Sequence, residues 1–566
     1  MPQKIGIGIS DFRKLRQNDC YFIDKSLMIS EVIQTGADIL LVPRPRRFGK
    51  TLNLSMLRYF FERHEDEDED QRREAEALFN GLAIKESPEF EKHFAKYPVI
   101  FLTFKDIKER DFDSALQEFR MVLSGEVKRH LDSSSEPVSV AELGWILEKI
   151  ADFDENINFY RKSLKILSEF LHKVYGVPPL ILIDEYDTPI HASWQYGYYD
   201  EMISFMRGLL SGAFKDNPNI FKGVITGILR VAKESIFSDL NNLGVYTILS
   251  VPFSEKFGIT EQELQQILEE YHLTQRLTEI DAWYNGYRFG ETTIFNPWSI
   301  LNFIDEKPHR PRPYWANTSS NALVKDLITQ GSLEVRENIK RLINGEAIDS
   351  VIDENIVFPD LKKKEQYIYS LFFFSGYLKC EKEIMEPRQL RCMLAVPNEE
   401  VRYIFENIIS GWLTEEFENQ KLKTMLNALV AGNIDQFQRL LNEFVITTLS
   451  FFDAKGRNPE AVFQAFVLGM LLNLGEEYEI SSNRELGYGR YDILVLPKKD
   501  RTRAAILMEM KSITGFYKEE PEKAIEQAVK QVSERGYALE LEAKGYENVL
   551  KIVVVSDGKQ VWVRTV

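Results

Sequence analysis

The sequence predicts an α/β protein: a parallel-sheet domain first, a helical or winged-helix-like middle, and a compact mixed α/β domain at the end. Three observations carry this. Four short apolar runs within about the first 250 residues alternate with longer amphipathic stretches, the pattern of a parallel sheet covered by helices on both faces. Near Thr260 the periodicity turns helical and rich in aromatic residues. Roughly the last 110 residues return to strands, in the order α-β-β-α-β-β.

Size and charge bound the function. The chain has 566 residues, room for three or four domains at about 150 residues each. Apolar residues are 44%, enough for more than one core. With 87 acidic against 70 basic residues, the net charge of −17 argues against a surface coated in positive charge for indiscriminate nucleic-acid binding. A local basic groove stays open, because a field depends on where charges sit. Cys20, Cys380 and Cys392 are too few for a disulfide framework and suit a reducing cytoplasm. The opening Met-Pro-Gln-Lys-Ile-Gly lacks a signal-peptide core, and no apolar run approaches the roughly 20 residues that span a bilayer. The expectation is a cytoplasmic protein without a membrane partner.

Taken in order, strands are expected at 38–43, 98–104, 179–184 and 221–227, each bounded by turn residues. Helices are expected at 51–62, 113–130 and 161–175. The acidic run 64–70 reads as a solvated helix end or loop. These elements make a first domain over 1–255. A small helical or winged-helix-like domain follows over 256–345, then a helical connecting region over 346–455 with an apolar knot at Leu371-Phe-Phe-Phe374. The last domain, 456–566, opens with a helix at 460–474. Strands at 491–496 and 504–511 follow, then a helix at 521–536, a strand at 549–556, an Asp557-Gly558 turn and a strand at 561–566.

The first strand leads into Arg44-Pro-Arg-Arg-Phe-Gly-Lys-Thr51. Gly49, Lys50 and Thr51 match the second half of G-x-x-x-x-G-K-[ST], with Arg44 where the first glycine belongs. Backbone amides at a helix start can face phosphate oxygens, the lysine meets β/γ charge, and the hydroxyl suits Mg²⁺. Arg46, Arg47 and Phe48 complete the candidate loop. A bare G-K-T also fits an ordinary basic helix start, but strand before and helix after favour ATP. Leu180-Ile-Leu-Ile-Asp-Glu185 ends a second buried strand in two acids: Asp184 to hold Mg²⁺, Glu185 to polarise the attacking water. Thr226, ending the next strand, is a candidate for sensing the γ-phosphate, and Arg230 beyond it for contacting that phosphate or a neighbouring subunit. Asp187 reads equally as a helix cap.

The last domain carries a different constellation. Glu509-Met-Lys511 closes one strand, so alternation puts Glu509 and Lys511 on one face. A hairpin brings Asp492 beside them. Paired carboxylates repel unless a cation lies between, as in an oxygen-rich Mg²⁺ site, and a lysine nearby can stabilise charge on a scissile phosphate. Glu460 is a candidate third carboxylate, or an exposed acid at a helix start. Gln531 and Tyr537 line the groove or fill the core. Arg310 and Arg312 beside Tyr314 and Trp315 could touch nucleic acid by phosphate contact and stacking, but a solvated loop is the favoured reading.

Arg44-Pro-Arg-Arg-Phe-Gly-Lys-Thr51, Leu182-Ile-Asp-Glu-Tyr-Asp187, Thr226-Gly-Ile-Leu-Arg230, Tyr287-Arg-Phe289 and Asn296-Pro-Trp298 resemble the AAA-ATPase-like proteins, in which the missing glycine is usual. Gly487-Tyr-Gly-Arg-Tyr-Asp492 leading to Glu509-Met-Lys511 is similar to the PD-(D/E)XK nuclease domain that accompanies them. The resemblance implies a P-loop ATPase fused to a Mg²⁺-dependent nuclease acting on nucleic acid, DNA before RNA, in mobile-element biology or defence. A homo-oligomer fits the same picture. The alternatives are a nucleotide-gated oligomeric switch, or a non-enzymatic nucleic-acid-binding scaffold whose nuclease fold is inactive.

Overall fold

The computed structural model describes residues 2–63, 69–132, 141–230, 236–237, 240–315, 322–329, 331–355, 358–362, 364–386, 389–416 and 419–449. It further describes 463–464, 467–468, 470–471, 474, 477–482, 485–486, 489–513, 521–534, 541, 544–557 and 560–566. They divide into two compact units. One comprises Met1–Asn321 with Ala347–Arg402, the other Ala322–Glu346 with Tyr403–Val566.

The first unit is organised by a five-stranded sheet. Its strands are β1 (Ile39–Pro43), β2 (Val99–Thr103), β3 (Leu180–Asp184), β4 (Lys222–Gly227) and β5 (Leu243–Val245). Their order is β2-β3-β4-β1-β5, every pair parallel. β1 and β3 are buried along their whole length, which is why both read as unbroken apolar runs rather than alternating ones. β2, which lies between β1 and β3 in sequence, is at the sheet edge; β4 separates them in space. The helices Lys50–Phe61, Phe112–Asp132 and Ile157–Tyr175 follow the expected amphipathic stretches within a few residues.

The segment after residue 256 is helical as expected, with a small sheet added. The helices Glu261–Glu270, Leu277–Tyr284 and Pro297–Asp305 accompany β6 (Ile259–Thr260), β7 (Tyr287–Phe289) and β8 (Thr292–Phe295), in the order β6-β8-β7. Thr260 and Glu263 form a capping box at the first of these helices. Glu263 also takes a 2.6 Å ion pair from Lys25, which donates to the Glu255 carbonyl as well. The stretch 346–455, expected to be helical, also contains a three-stranded antiparallel sheet: β9 (Ile348–Ile352), β10 (Lys379–Glu386) and β11 (Gln389–Ala395). β10 is Lys-Cys-Glu-Lys-Glu-Ile-Met-Glu, so charge on a half-exposed strand hides the period-two apolar signal.

The second unit holds β12 (Tyr478–Ser482), β13 (Glu485–Leu486), β14 (Gly489–Arg490), β15 (Ile493–Pro497), β16 (Ala505–Ser512), β17 (Val549–Ser556) and β18 (Val561–Thr565). Its main sheet runs β12-β15-β16-β17-β18, with β16 and β17 parallel and the other pairs antiparallel. β12 is an edge strand absent from the expected order. The helix Pro521–Glu534 sets Ala524, Ile525, Ala528 and Val532 against Leu507, Val553 and Val555, an apolar stripe at helical spacing. The helix Ile434–Leu449, expected in the connector, belongs here. Asn442 bonds both the N–H and the carbonyl of Val561, and Gln438 accepts from the Val563 N–H. Edge strand β18 is thereby met by side chains at Val561 and Val563.

Glu400 is a fully buried acid in the first unit. It accepts from the Trp315 N–H at 2.8 Å and the Ser299 hydroxyl at 2.7 Å, yet burial lifts its pKa from 4.5 to about 7. The native state thus holds the proton over a range where the unfolded chain has lost it. Stability should fall as pH rises from about 4.5 to 7, by up to about 3 kcal/mol. Glu400→Gln should flatten that slope in urea titrations run at successive pH values, and should be the more stable form at pH 8.

Candidate functional site

The candidate nucleotide loop is built where β1 ends. Gly49 caps the helix Lys50–Phe61 with φ +83°, and Arg47 is also left-handed at +68°. The loop therefore bends so that its amides collect at the helix N-terminus, where anions are stabilised. Lys50 is buried and donates to the Arg44 and Pro45 carbonyls, 3.0 Å each. Burial lowers its pKa, while Glu185, Asp184 and Asp187 act to raise it.

Asp184, at the end of β3, is wholly buried. One carboxylate oxygen accepts from the Thr51 hydroxyl and the other from the Thr226 hydroxyl, both at 2.7 Å. Loop, acidic strand and the strand between them are joined through one side chain. Burial raises its pKa, and the two hydroxyls oppose that rise. Glu185 follows with φ +51°, a left-handed backbone that a side-chain-bearing residue adopts at a cost of about 1–3 kcal/mol. Its carboxylate accepts from the Thr188 hydroxyl at 3.1 Å. The oxygen donors Thr51 and Asp184 suit a hard cation such as Mg²⁺, and buried Lys50 suits phosphate.

Other residues hold this loop. Phe48 is buried, its ring against Tyr287 and Phe289 at centroid distances of 5.1 and 5.2 Å. Only its backbone N–H is left for a phosphate. Gly258 makes room: a Cβ there would meet Ile294 at 2.2 Å and the Phe48 ring at 3.0 Å. The Arg47 guanidinium lies 4.2 Å over Trp298, and Glu185 enters its electrostatics. Arg46, half-buried, enters those of Lys50 and His191. Asp187 occupies the cap position of the helix Thr188–Tyr196 but makes no capping bond. It turns instead to the loop after β4, accepting from the Ile228 and Leu229 N–H groups at 2.8 and 3.0 Å, while the Tyr186 hydroxyl donates to the Leu229 carbonyl. A Cβ at Gly227 would stand 2.6 Å from Asp187 Oδ1. Arg230, three residues past β4, is close enough to Glu354 to act on its charge. His191 stacks on Phe358, and burial holds it near pKa 4, neutral at pH 7.

The second constellation lies on the C-terminal sheet. β15 and β16 pair Ile493 with Met508, and one further step of that register sets Asp492 opposite Glu509. Asp492 accepts from the Met510 N–H at 2.7 Å. Glu509 is 2% exposed and accepts from Gln531 on the helix Pro521–Glu534. Lys511 follows on the same face, while Met510 points into the core. Glu460 and Tyr537 lie outside the described residues. Among the described residues no three His, Cys, Asp or Glu side chains stand together as a metal cluster. A Mg²⁺ site of two carboxylates completed by water and phosphate needs no third. In the Arg310–Trp315 segment both arginines are exposed on a loop, as expected, with Arg312 paired to Glu306 at 2.5 Å, while Trp315 is buried.

Residues 6–237 match the family model described as predicted AAA-ATPase, and residues 458–566 match that of the PD-(D/E)XK nuclease superfamily. The chain opens with an AAA-ATPase-like domain and ends with a PD-(D/E)XK nuclease superfamily domain. It is also 25% identical over 551 residues to "Uncharacterized protein in vnfD 5'region" of Azotobacter chroococcum mcd 1, covering 96% of this chain and 94% of that relative. No described helix is long and apolar enough to cross a membrane.

In the ATPase-like domain the sequence reading missed what Arg44 does. It is fully buried, donating to the carbonyls of Pro43, Tyr246 and Phe253 at 2.8, 2.6 and 3.1 Å, between the Phe257 and Phe289 rings. Burial lowers its pKa to about 9, so it stays charged at neutral pH. A charged residue closing a wholly apolar strand was the available signal. Restoring the general motif with Arg44→Gly should therefore destabilise this domain by about 3–5 kcal/mol in chemical denaturation, with Arg44→Lys in between.

Proposed function

We propose that the ATPase-like domain binds and hydrolyses ATP with Mg²⁺, and that the nuclease-superfamily domain cuts phosphodiester bonds in DNA with Mg²⁺. The observation that carries the first half is the carboxylate of Asp184, shared by the hydroxyls of Thr51 and Thr226. In this reading Arg46, Arg47 and the backbone from Phe48 to Gly49 surround the phosphates, and Lys50 meets their charge. Thr51 and Asp184 hold Mg²⁺, directly or through water. Glu185 orients and polarises the attacking water, Thr226 reports the γ-phosphate to Asp184, and Arg230 responds to it from the loop beyond.

The second half rests on the same logic at Asp492, Glu509 and Lys511. The two carboxylates would share Mg²⁺, which supplies Lewis-acid stabilisation of the phosphate when bound. Gln531 keeps Glu509 in orientation by donating to it. Lys511, one pleat along, stabilises charge building on the scissile phosphate or positions water. Recognition of DNA through phosphates at a confined site fits a chain of net charge −17, and makes cleavage sensitive to salt. ATP licenses the cut rather than taking part in it.

The test uses labelled single- and double-stranded DNA with and without ATP and Mg²⁺. Lys50→Ala should lower ATP turnover at least about 100-fold. Glu509→Ala and Lys511→Ala should abolish cleavage and leave ATP turnover unchanged. Cleavage by Glu509→Ala at the wild-type rate would remove the nuclease assignment, and turnover by Lys50→Ala at the wild-type rate the ATPase assignment.

A further inference from the structure

The hairpin β10–β11 carries two thiols that neither site uses. Cys380 pairs with Leu394, and Cys392 lies two residues along β11 from that partner, so alternation puts both sulfurs on one face. The pairing shifts between Cys380 and Lys382, a bulge of the kind that re-aims side chains. The two thiols are close enough for each to act on the other's ionisation, and both are free. Their access differs sharply. Cys392 is 0% exposed, whereas Cys380 is half-buried and lines a cavity with Pro45, Tyr287, Arg288, Gly376 and Glu383.

The same contacts set the reactivity. The neighbouring Cys392 thiol and the charge of Arg288 favour the thiolate at Cys380, while burial and Glu383 oppose it. Cys392 is pushed the other way by the adjacent Cys380 and by burial. A reachable, activated thiol in front of a buried partner is the arrangement that thiol–disulfide exchange requires.

We propose that Cys380 and Cys392 form a thiol–disulfide exchange site that takes a low-molecular-weight disulfide as its co-reactant at the partly exposed Cys380. The Cys380 thiolate attacks one sulfur of the disulfide. A mixed disulfide forms, the original S–S bond breaks, and a thiolate leaves and is protonated. Cys392 attacks Cys380 Sγ: the Cys380–Cys392 bond forms, the mixed-disulfide S–S bond breaks, and the Cys392 proton passes to the departing second thiolate. Two protein thiols are oxidised and one small disulfide is reduced to two thiols.

The test treats the reduced full-length protein, under native conditions, with oxidised glutathione. Of the three cysteine thiols, two should be lost. Tryptic mapping should find the fragment 380–382 joined to 392–402. Cys392→Ser should stop at a glutathione adduct on Cys380, and Cys380→Ser should keep both remaining thiols. The proposal fails if the wild type keeps all three thiols or stops at an adduct. It also fails if the bond formed includes Cys20, or if Cys392→Ser carries its adduct on Cys20. The wild-type mapping decides the matter even if a variant does not fold.

Discussion

A carboxylate with no access to water organises the front of this protein. Asp184 ends a strand buried on both faces, where an ion without partners would be costly. Its two oxygens are met by hydroxyls from different elements, Thr51 at the start of a helix and Thr226 at the end of the neighbouring strand. That requirement fixes the distance between β1 and β3 across β4. It also fixes which face of the loop presents Lys50. Removing either hydroxyl would leave a buried acceptor unmet, which explains why hydroxyls occupy this helix start and this strand end.

The loops around that centre are held by side chains rather than by regular structure. Arg44 fastens one side to the carbonyls of Pro43, Tyr246 and Phe253, and Tyr186 with Asp187 fastens the other to residues 228 and 229. The motifs Tyr287-Arg-Phe289 and Asn296-Pro-Trp298 find a physical reason here: their rings seat Phe48 and carry Arg47. A nucleotide that moved the loop would act on these rings directly. The small three-stranded sheet is thus built against the loop.

The buried strands were legible because burial on both faces leaves nothing but apolar residues between turn residues, and the helices because their apolar faces recur at the right spacing. The juxtaposition of Asp492 with Glu509 was also legible, since a short turn between two strands leaves little freedom of register. What escaped was whatever depends on partners distant in sequence. The charge closing an apolar strand hints at a role for Arg44, but nothing local names its partners about 200 positions on, or turns Asp187 away from the helix it precedes. β12 was missed because an edge strand with one polar face looks like a loop, and β10 because charge masks its alternation. The helix Ile434–Leu449 was visible as a helix, but its bonds to Val561 and Val563 were not.

The central claim is that Thr51 and Asp184 are the cation-holding part of an ATP site. The most direct measurement is crystallographic: the protein with Mn²⁺ and a non-hydrolysable ATP analogue, with the metal located by its anomalous scattering. The account predicts a peak at the Thr51 hydroxyl on the side facing Asp184, with the triphosphate against the amides at Gly49 and Lys50. An anomalous map with no peak there, while the Thr51–Asp184 hydrogen bond persists and the analogue binds elsewhere or not at all, would contradict it.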